Sequence, residues 1–392
     1  MILPESRSLA WIEATAKNNN AKDITLVEKT IRAFSLLEAL ARSGMEFCFK
    51  GGSCLLLHLG SARRMSIDVD VICPPGTEIE KYLEKYSDEY GFSSVEPIER
   101  QYRTNVPKTH AKYFYQVAYK TKTQNDKILL DVLFEDNKYQ HLERLPIVSP
   151  FLKTDDNPVL VTVPSKADLL GDKLTAFAPH TTGIPFYKGE KNCSMEIMKQ
   201  MYDVASLFDV VDDFQAASST YEKLAKLELE YRGRNDVPLE DVAMDTIEAA
   251  QCISTYGYDG MDDFNFYSEG IERVRNFIHS EKYNVPSAIR KAAKAAYAAA
   301  CLVKNVESPV RFDGDVQRVQ TNEPGGFLLL EPDFQDSEFD EVIAFRPGHA
   351  GSEGGGSAWS GNGLDSSAGK PIGATFGLYM RPKMSIFASQ TT

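Results

Sequence analysis

The stretch from Lys50 to Val71 places the strongest constraint on the fold, because it combines a glycine turn with two nearby carboxylates. Gly51, Gly52 and Ser53 lie between two apolar runs, 45–49 and 54–59, which indicates a strand, a turn and a helix. Glycine lets the backbone approach an anion closely, and the amide groups at a helix N-terminus attract phosphate. We expect Ser53 to cap the helix, and the turn to hold phosphate.

Two aspartates follow in the alternating segment 67–72. Asp68 and Asp70 are two residues apart, so a strand would place both carboxylates on one face. Two like charges side by side are unfavourable unless a cation lies between them, and oxygen ligands suit Mg²⁺. A lone Gly-Gly-Ser is usually only a turn, and a lone Asp-x-Asp is often a solvated edge. The two motifs in this order are more specific than either alone.

A third acid interrupts the apolar run 128–134, which pairs with the run 113–119 as a predicted hairpin. Asp131 would be partly buried there, and a buried carboxylate usually has a partner. It could be a salt-bridged strand residue or a third carboxylate of a metal or base site. With Asp68 and Asp70 predicted on neighbouring strands, the second interpretation is favoured.

Further candidates lie on predicted helices. After a strand at 159–163, Ser165 and Asp168 fit a capping box. In the helix that follows, Asp168 and Asp172 share a face, whereas Lys173 lies about 100° further round. Most such lysines are simply solvated. A later helix carries Lys199 and Asp203.

Composition and segment patterns suggest an α+β chain with four regions. We predict an N-terminal extension at 1–22, a core at 23–164, a helical domain at 165–322, and an irregular or disordered Gly/Ser-rich tail at 323–392. A helix capped by Asp23 should end at Ser43-Gly44, and a second helix is expected at 77–91.

The chain has 392 residues and a net charge of −13, which argues against a surface coated with basic residues for nonspecific DNA binding but permits a local basic patch. Six scattered cysteines predict free buried thiols in a reducing compartment. With neither a signal-peptide pattern nor an apolar run of membrane-spanning length, we expect a cytoplasmic protein without membrane contact.

Four motifs in order carry a family resemblance: Gly51-Gly52-Ser53, Arg64-x-Ser66-x-Asp68-x-Asp70, Asp131 in an apolar strand, and Asp168-x4-Lys173 with Lys199-x3-Asp203. Together they resemble the AbiEii/AbiGii-type nucleotidyltransferase toxins of the DNA polymerase β-like superfamily, over roughly residues 25–210. The family's fourth motif often has an Arg-Asp pair before its last aspartate. Here Lys199 supplies the basic residue and the neighbouring acid is missing.

The resemblance implies a polymerase β-like core, a mixed sheet with flanking helices, followed by a helical C-terminal domain. It also implies that the helical domain completes the active site, and that a nucleotide is transferred from an NTP, with two Mg²⁺ ions, to RNA such as a tRNA 3′ end. Such toxins act in toxin–antitoxin and abortive-infection systems, and a winged-helix antitoxin encoded nearby would be the partner.

Carried over by position, the resemblance assigns nucleotide binding to the cradle Gly51, Gly52 and Ser53, and to Arg64, Ser66 and Lys199. It assigns metal binding to Asp68, Asp70 and Asp131. It assigns catalysis to Asp131, Lys173 and Asp203. Arg64 could equally be a structural partner of Asp68.

Two other functions stay open: transfer to a small-molecule or protein hydroxyl, and a non-catalytic nucleotide-binding module. The presence of all the motif carboxylates weighs against the second. Neither the NTP nor the acceptor can be read from the residues.

Overall fold

A computed structural model describes residues 1–60, 63–98, 108–119, 124–257 and 263–309, together with the backbone of four short strands near the C-terminus. The chain divides into two compact units, each considered by itself below. The first comprises Met1–Asp172, Ser219–Asn235 and Val274–Tyr283, and the second Lys173–Ser218, Asp236–Arg273 and Asn284–Thr392. The units interleave along the chain, and the four regions expected from the sequence remain predictions.

A mixed five-stranded sheet forms the centre of the first unit, in the order β1-β2-β5-β4-β3. The strands are β1 (Cys48–Lys50), β2 (Val69–Cys73), β3 (Ser94–Ile98), β4 (Lys108–Gln116) and β5 (Asn125–Phe134). Strand β2 runs parallel to β5, and the other neighbours are antiparallel. The fold is therefore α+β with a mixed sheet and flanking helices, as the sequence predicts.

Alternation along the strands separates two faces of this sheet. On one face the side chains are buried, among them Val69, Val71, Leu130 and Val132. Helix α2 (Ile24–Ser43) packs on β2 and β5. The opposite face, which carries Asp70 and Asp131, is only partly covered. We call it the open face.

The first unit contains further short elements around the sheet: a 3-10 turn (Pro4–Arg7), α1 (Leu9–Asn18), α3 (Gly51–Leu59), α4 (Glu80–Leu83), β6 (Leu142–Pro146) and β7 (Leu160–Pro164). The predicted ends of α2 are confirmed. The side chain of Asp23 accepts a hydrogen bond from the Thr25 amide, and Gly44 ends the helix in the left-handed conformation.

Helices dominate the rest of the described chain: α5 (Lys166–Ala176), a small hairpin of β8 (Tyr187–Lys188) and β9 (Lys191–Asn192), α6 (Ser194–Phe208), α7 (Phe214–Tyr231), α8 (Leu239–Ser254), α9 (Phe264–Val274) and α10 (Val285–Val303). In the second unit the alanine-rich α10 packs on α6 and α8, because small side chains let helices approach closely.

The structure adds detail to the expected N-terminal extension and shortens one expected helix. Residues 1–22 carry a helix, and the backbone amide of Ile2 donates to the buried carboxylate of Glu38. The helix expected at 77–91 is limited to Glu80–Leu83. Further along, the Ser87 hydroxyl donates to the Glu84 carbonyl, a local bond that competes with helix formation.

In the predicted tail, the described residues form two strand pairs, β10 (Ala344–Gly348) with β13 (Thr375–Tyr379) and β11 (Leu364–Asp365) with β12 (Lys370–Pro371). The other residues of the tail lie outside the described part of the chain.

All six cysteines are free and buried, as expected from their positions. Among the helices of the described residues, none combines the length and apolar character needed to cross a membrane.

Candidate active site

The predicted glycine turn joins β1 directly to α3. Lys50 is the extended N-cap residue, and Gly51 is the first helical residue with φ of 80°. Only glycine adopts such a φ without strain. A Cβ atom added at Gly51 would clash with the carboxylate of Asp70, because it would lie only 3.0 Å from Asp70 Cγ. A Cβ atom added at Gly52 would lie 2.7 Å from an Arg64 guanidinium nitrogen. Because Gly51 and Gly52 have no side chains, the turn has open space beside the Asp70 carboxylate and the Arg64 guanidinium.

Ser53 does not cap the helix, contrary to expectation. The helix begins two residues earlier, at Gly51, and the Ser53 hydroxyl instead donates to the Asp68 carbonyl oxygen at 2.6 Å. This bond ties the first turn of α3 to the residue just before β2. It thus fixes the glycine turn against the acidic strand.

Asp70 and Asp131 are register partners on the neighbouring parallel strands β2 and β5. Lys50 is the register partner of Asp70 on the other side, in β1. Neighbouring strands are about 4.8 Å apart, so both acids belong to one row on the open face. Asp68 lies one residue before β2, not within it as predicted.

A histidine that the sequence analysis missed completes this row. His110 in β4 is the register partner of Asp131, and its Nδ1 contacts Asp131 Oδ1. The His110 side chain is 8% exposed, whereas that of Asp131 is 40% exposed. Asp131 thus presents its carboxylate to solvent while one oxygen is held by a buried ring.

His110 was missed because the strand was predicted to begin at residue 113. The structure starts β4 at Lys108, five residues earlier. The segment Lys-Thr-His-Ala-Lys has little apolar character, so its strand pairing depends on β5 and not on local pattern. The sequence did contain one signal for an earlier start of the strand: Ala111, Tyr113 and Tyr115 alternate with other residues, and their side chains are buried in the structure.

Lys50 is held beside the acidic row by residues from elsewhere in the first unit. Its ammonium pairs with Asp172 at 3.2 Å, and the Tyr139 hydroxyl donates to the same carboxylate at 3.0 Å. Burial would lower the pKa of Lys50, but Asp172, Asp70 and Glu135 together raise it above the ordinary value. Lys50 therefore keeps its positive charge next to Asp70.

Arg64 and Ser66 border the glycine turn. Arg64 is 6% exposed, and its guanidinium donates to the Met65 carbonyl at 3.1 Å. The contact distances at Gly52 place Arg64 and the Ser66 hydroxyl on the same side of the turn. The two interpretations of Arg64, as a phosphate ligand and as a partner of Asp68, both remain.

Asp168 has a structural role. It is fully buried and accepts from the amides of Gln140 and His141, at 2.6 and 3.0 Å. The Ser165 hydroxyl accepts from the Asp168 amide, which confirms the N-cap half of the predicted capping box at the start of α5. The reciprocal half is wrong, because the Ser165 amide donates to the His141 carbonyl, and the Asp168 carboxylate accepts from the Ser165 hydroxyl instead.

In the second unit the structure brings Lys173 and Asp203 together. The Lys173 ammonium pairs with Asp203 at 3.0 Å and donates to Gln200 at 2.9 Å. Their side chains are only 7% and 3% exposed, so Lys173 is not the solvated lysine that its residue type suggests. Lys199 lies on the same helix, α6, and is half-buried.

The family model described as "Nucleotidyl transferase AbiEii toxin, Type IV TA system" matches residues 35–293, well over half of the chain. This chain belongs to the AbiEii nucleotidyltransferase toxin family. A solved structure from H. pylori, described as a "putative nucleotidyltransferase", is 13% identical and covers 72% of this chain and 95% of its own, with a TM-score of 0.38. No curated protein matches the chain.

Membership of the AbiEii family makes the protein a nucleotidyltransferase and a toxin of a type IV toxin–antitoxin system. It implies an NTP substrate and an antitoxin partner. The match begins inside α2 and ends inside α10, so it includes every predicted site residue. The residue roles carried over by position are not tested by the match.

The AbiEii family also implies a divalent metal, for which Mg²⁺ is the expected ion. Among the described residues, no group of three or more His, Cys, Asp or Glu side chains is gathered as a metal site. Mg²⁺ typically takes only one or two protein carboxylates, with substrate phosphates and water as further ligands. Asp70 and Asp131, in adjacent register beside a glycine turn, fit that pattern.

Proposed function

We propose that this AbiEii family member transfers a nucleoside monophosphate from an NTP to a hydroxyl at an RNA 3′ end, tRNA being the leading candidate, in the cytoplasm and with Mg²⁺. The adjacency of Asp70 and Asp131 on parallel strands carries the proposal. It supplies two partly exposed carboxylates beside a glycine turn at a helix N-terminus, a combination that suits nucleotidyl transfer.

The glycine turn is the proposed triphosphate cradle. Without a side chain at Gly51 or Gly52, phosphate oxygens can approach the first amides of α3, whose partial positive charge favours an anion. Ser53 holds the turn against Asp68, and Arg64 supplies a fixed positive charge beside Gly52. Ser66 and Lys199 are proposed as further nucleotide contacts.

Asp70 and Asp131 are the proposed metal ligands, whereas Asp68, one residue before β2, is not gathered with them as a third ligand among the described residues. When bound, Mg²⁺ would neutralise the triphosphate and polarise the reacting oxygens. Without a bound metal, the positive charge of Lys50 offsets the negative charge of Asp70. With this charge distribution, the carboxylates can lie side by side in the folded chain.

The proposed reaction forms one bond and breaks one. The acceptor hydroxyl oxygen attacks the α-phosphorus, and the bond to the bridging oxygen of the β-phosphate breaks, so pyrophosphate leaves with the electron pair. Oδ1 of Asp131 is held by His110, and Oδ2 is the atom that would take the hydroxyl proton.

Lys173 is proposed to offset charge that develops on the phosphates, and Asp203 to orient the Lys173 ammonium. Their ion pair in the second unit supports this assignment, because it holds the ammonium in one position.

The transfer can be tested with purified protein, total RNA, Mg²⁺ and each α-labelled NTP in turn. We expect label on tRNA-sized RNA, and its loss in Asp131→Asn. Asp136→Asn is the matched control, since Asp136 is exposed, five residues away and outside the row. Label that appears on protein or on a small molecule would contradict an RNA acceptor, and no transfer from any NTP would contradict the enzyme assignment.

The toxin role has a separate test in cells. Expression of the wild type should arrest growth, and Asp70→Asn should not. Co-expression of the neighbouring gene product, if it is the antitoxin, should restore growth without removing the toxin protein. Equal growth with wild type and Asp70→Asn at equal expression would refute the toxin role for this site.

A further inference from the structure

One segment of this acidic chain carries a local excess of positive charge and includes part of the open face. Residues 100–127 contain seven basic residues and one acid, within a chain whose net charge is −13. The basic residues are Arg100, Arg103, Lys108, Lys112, Lys120, Lys122 and Lys127, and the acid is Asp126. Arg100, Arg103, Lys120 and Lys122 lie outside the described residues, so the structural argument concerns the other three.

Alternation places three of these lysines on the open face. Lys108 and Lys112 flank His110 in β4 at a spacing of two residues. The side chains of Lys108, His110 and Lys112 therefore belong to one face. Across the hairpin, Lys127 is the register partner of Phe114, and Asp131 is that of His110. The lysines therefore share a face with the proposed catalytic carboxylate.

These lysines lack the partners that neutralise other surface lysines. Lys81, Lys153 and Lys226 each form an ion pair with a glutamate. Within the described part of the chain, no ion pair includes Lys108, Lys112 or Lys127. Glu96 is the register partner of Lys112, but no ion pair joins them. Their charge is thus available to an external anion.

The hairpin also offers an aromatic surface. Phe114 is half-buried on the open face, and the Lys127 ammonium lies 6.0 Å from its ring centroid. Aromatic rings next to lysines are a recurring means of binding single-stranded nucleic acid, because the ring stacks on a base while the ammonium groups contact phosphates. Leu129 and Leu133, also half-exposed, extend the apolar part of this face.

We propose that the open face of the β4–β5 hairpin binds the single-stranded 3′ end of the acceptor RNA, with Lys108, Lys112 and Lys127 on its phosphates and Phe114 against a base. The proposal builds on the proposed RNA acceptor and adds the surface that recognises it. Placing RNA along β4 would bring its terminal hydroxyl to Asp131, which lies between the flanking lysines in register. The RNA would then be bound beside the residue proposed to activate its terminal hydroxyl.

The test measures RNA binding directly, without NTP, so that it does not depend on catalysis. A fluorescent single-stranded RNA with a tRNA-like 3′ end is titrated with full-length protein at several salt concentrations. The variant K108Q/K112Q/K127Q removes three charges, and K81Q/K153Q/K226Q removes three elsewhere as the control. Phe114→Ala tests stacking, with the exposed Tyr187→Ala as its control.

We expect the hairpin triple variant to weaken binding about tenfold or more and to reduce the salt slope by about 2, since each single-strand phosphate contact contributes about 0.7. Phe114→Ala should weaken binding with an unchanged slope. Both controls should bind like the wild type. Thermal unfolding and NTP binding should be retained in all variants, because the hairpin lysines are exposed or half-exposed.

Equal losses in the hairpin and control triples would overturn the proposal, as would the absence of RNA binding by the wild type. In either case the proposed transfer is judged separately by the position of the label. Binding that is lost in the hairpin variant but retained in Asp131→Asn would support the RNA surface even if the transferred nucleotide goes elsewhere.

Discussion

Asp70 and Asp131 lie opposite each other on parallel strands β2 and β5, although 60 residues of chain separate them. Side by side, two carboxylates repel, and the fold tolerates them because Lys50 and His110 stand at the two ends of the row. We infer that the row serves function at the expense of stability. Its effect on catalysis and its effect on the free energy of unfolding can be measured separately.

Neutralising either acid of the row should abolish transfer without unfolding the protein. We expect Asp70→Asn and Asp131→Asn to lower kcat by about 10²-fold or more, since each removes a metal ligand or base. Thermal stability should stay equal or rise, because a repulsion is relieved. A fall in Tm that parallels the loss of kcat would instead indicate a structural role.

His110 should act by holding Asp131. In His110→Asn an amide N–H can still donate to Asp131 Oδ1, whereas His110→Ala cannot donate at all. We expect His110→Ala to lower kcat by about tenfold with little change in the KM for NTP, and His110→Asn to recover most of that loss. Mn²⁺ affinity, measured by titration, should follow the same order. Equal kcat in both variants would exclude this positioning role.

Gly51 can be compared with Gly44, because both have a left-handed φ but different surroundings. A Cβ at Gly44 meets nothing within 4 Å, whereas one at Gly51 meets the Asp70 carboxylate. Either alanine substitution should lower the free energy of unfolding by about 1–2 kcal/mol from backbone strain. Only Gly51→Ala should also abolish transfer, since Asp70 must move. Full activity in Gly51→Ala would show that the close approach is not needed.

The Lys173–Asp203 pair should be important for both stability and activity. Lys173→Met leaves Asp203 buried without this ammonium, which should cost about 3–5 kcal/mol of unfolding free energy. The double variant K173M/D203N should regain much of that stability, measured by denaturant unfolding, but no transfer activity. Recovered activity in the double variant would mean that the pair is only structural.

Because of Asp245, we expect the free energy of unfolding of the second unit to depend on pH. The Asp245 carboxylate is buried and accepts from the amides of His180 and Thr181, and burial raises its pKa to about 6. A carboxyl group whose pKa is higher in the folded state binds its proton more tightly there. Its stabilising contribution is therefore present at low pH and lost as pH rises through about 6.

The corresponding variant is Asp245→Asn, whose side-chain oxygen can still accept those bonds. Between pH 4 and pH 7 the wild type should lose on the order of 1–3 kcal/mol of unfolding free energy that Asp245→Asn does not lose. Urea unfolding at several pH values measures the difference. Parallel curves for the two proteins would show that Asp245 titrates normally.

Local sequence rules were sufficient where short-range chemistry decides the structure. The cap at Asp23, the left-handed end at Gly44 and the Ser165 cap on the Asp168 amide all involve groups within a few residues of one another. Apolar runs also located β1, α3 and the hairpin to within a few residues. The same rules misplaced the start of β4, because residues 108–112 become a strand through pairing with β5.

The amino-acid sequence by itself determined the chemical inventory: a glycine turn, motif carboxylates, a lysine, and a basic segment in an acidic chain. Tertiary structure decided which of these residues meet. Strand register brought Asp131 beside Asp70 and His110, and helix packing buried Lys173 against Asp203. The physical reason is that a side chain's partner across a sheet depends on pairing between distant segments, which no local periodicity encodes.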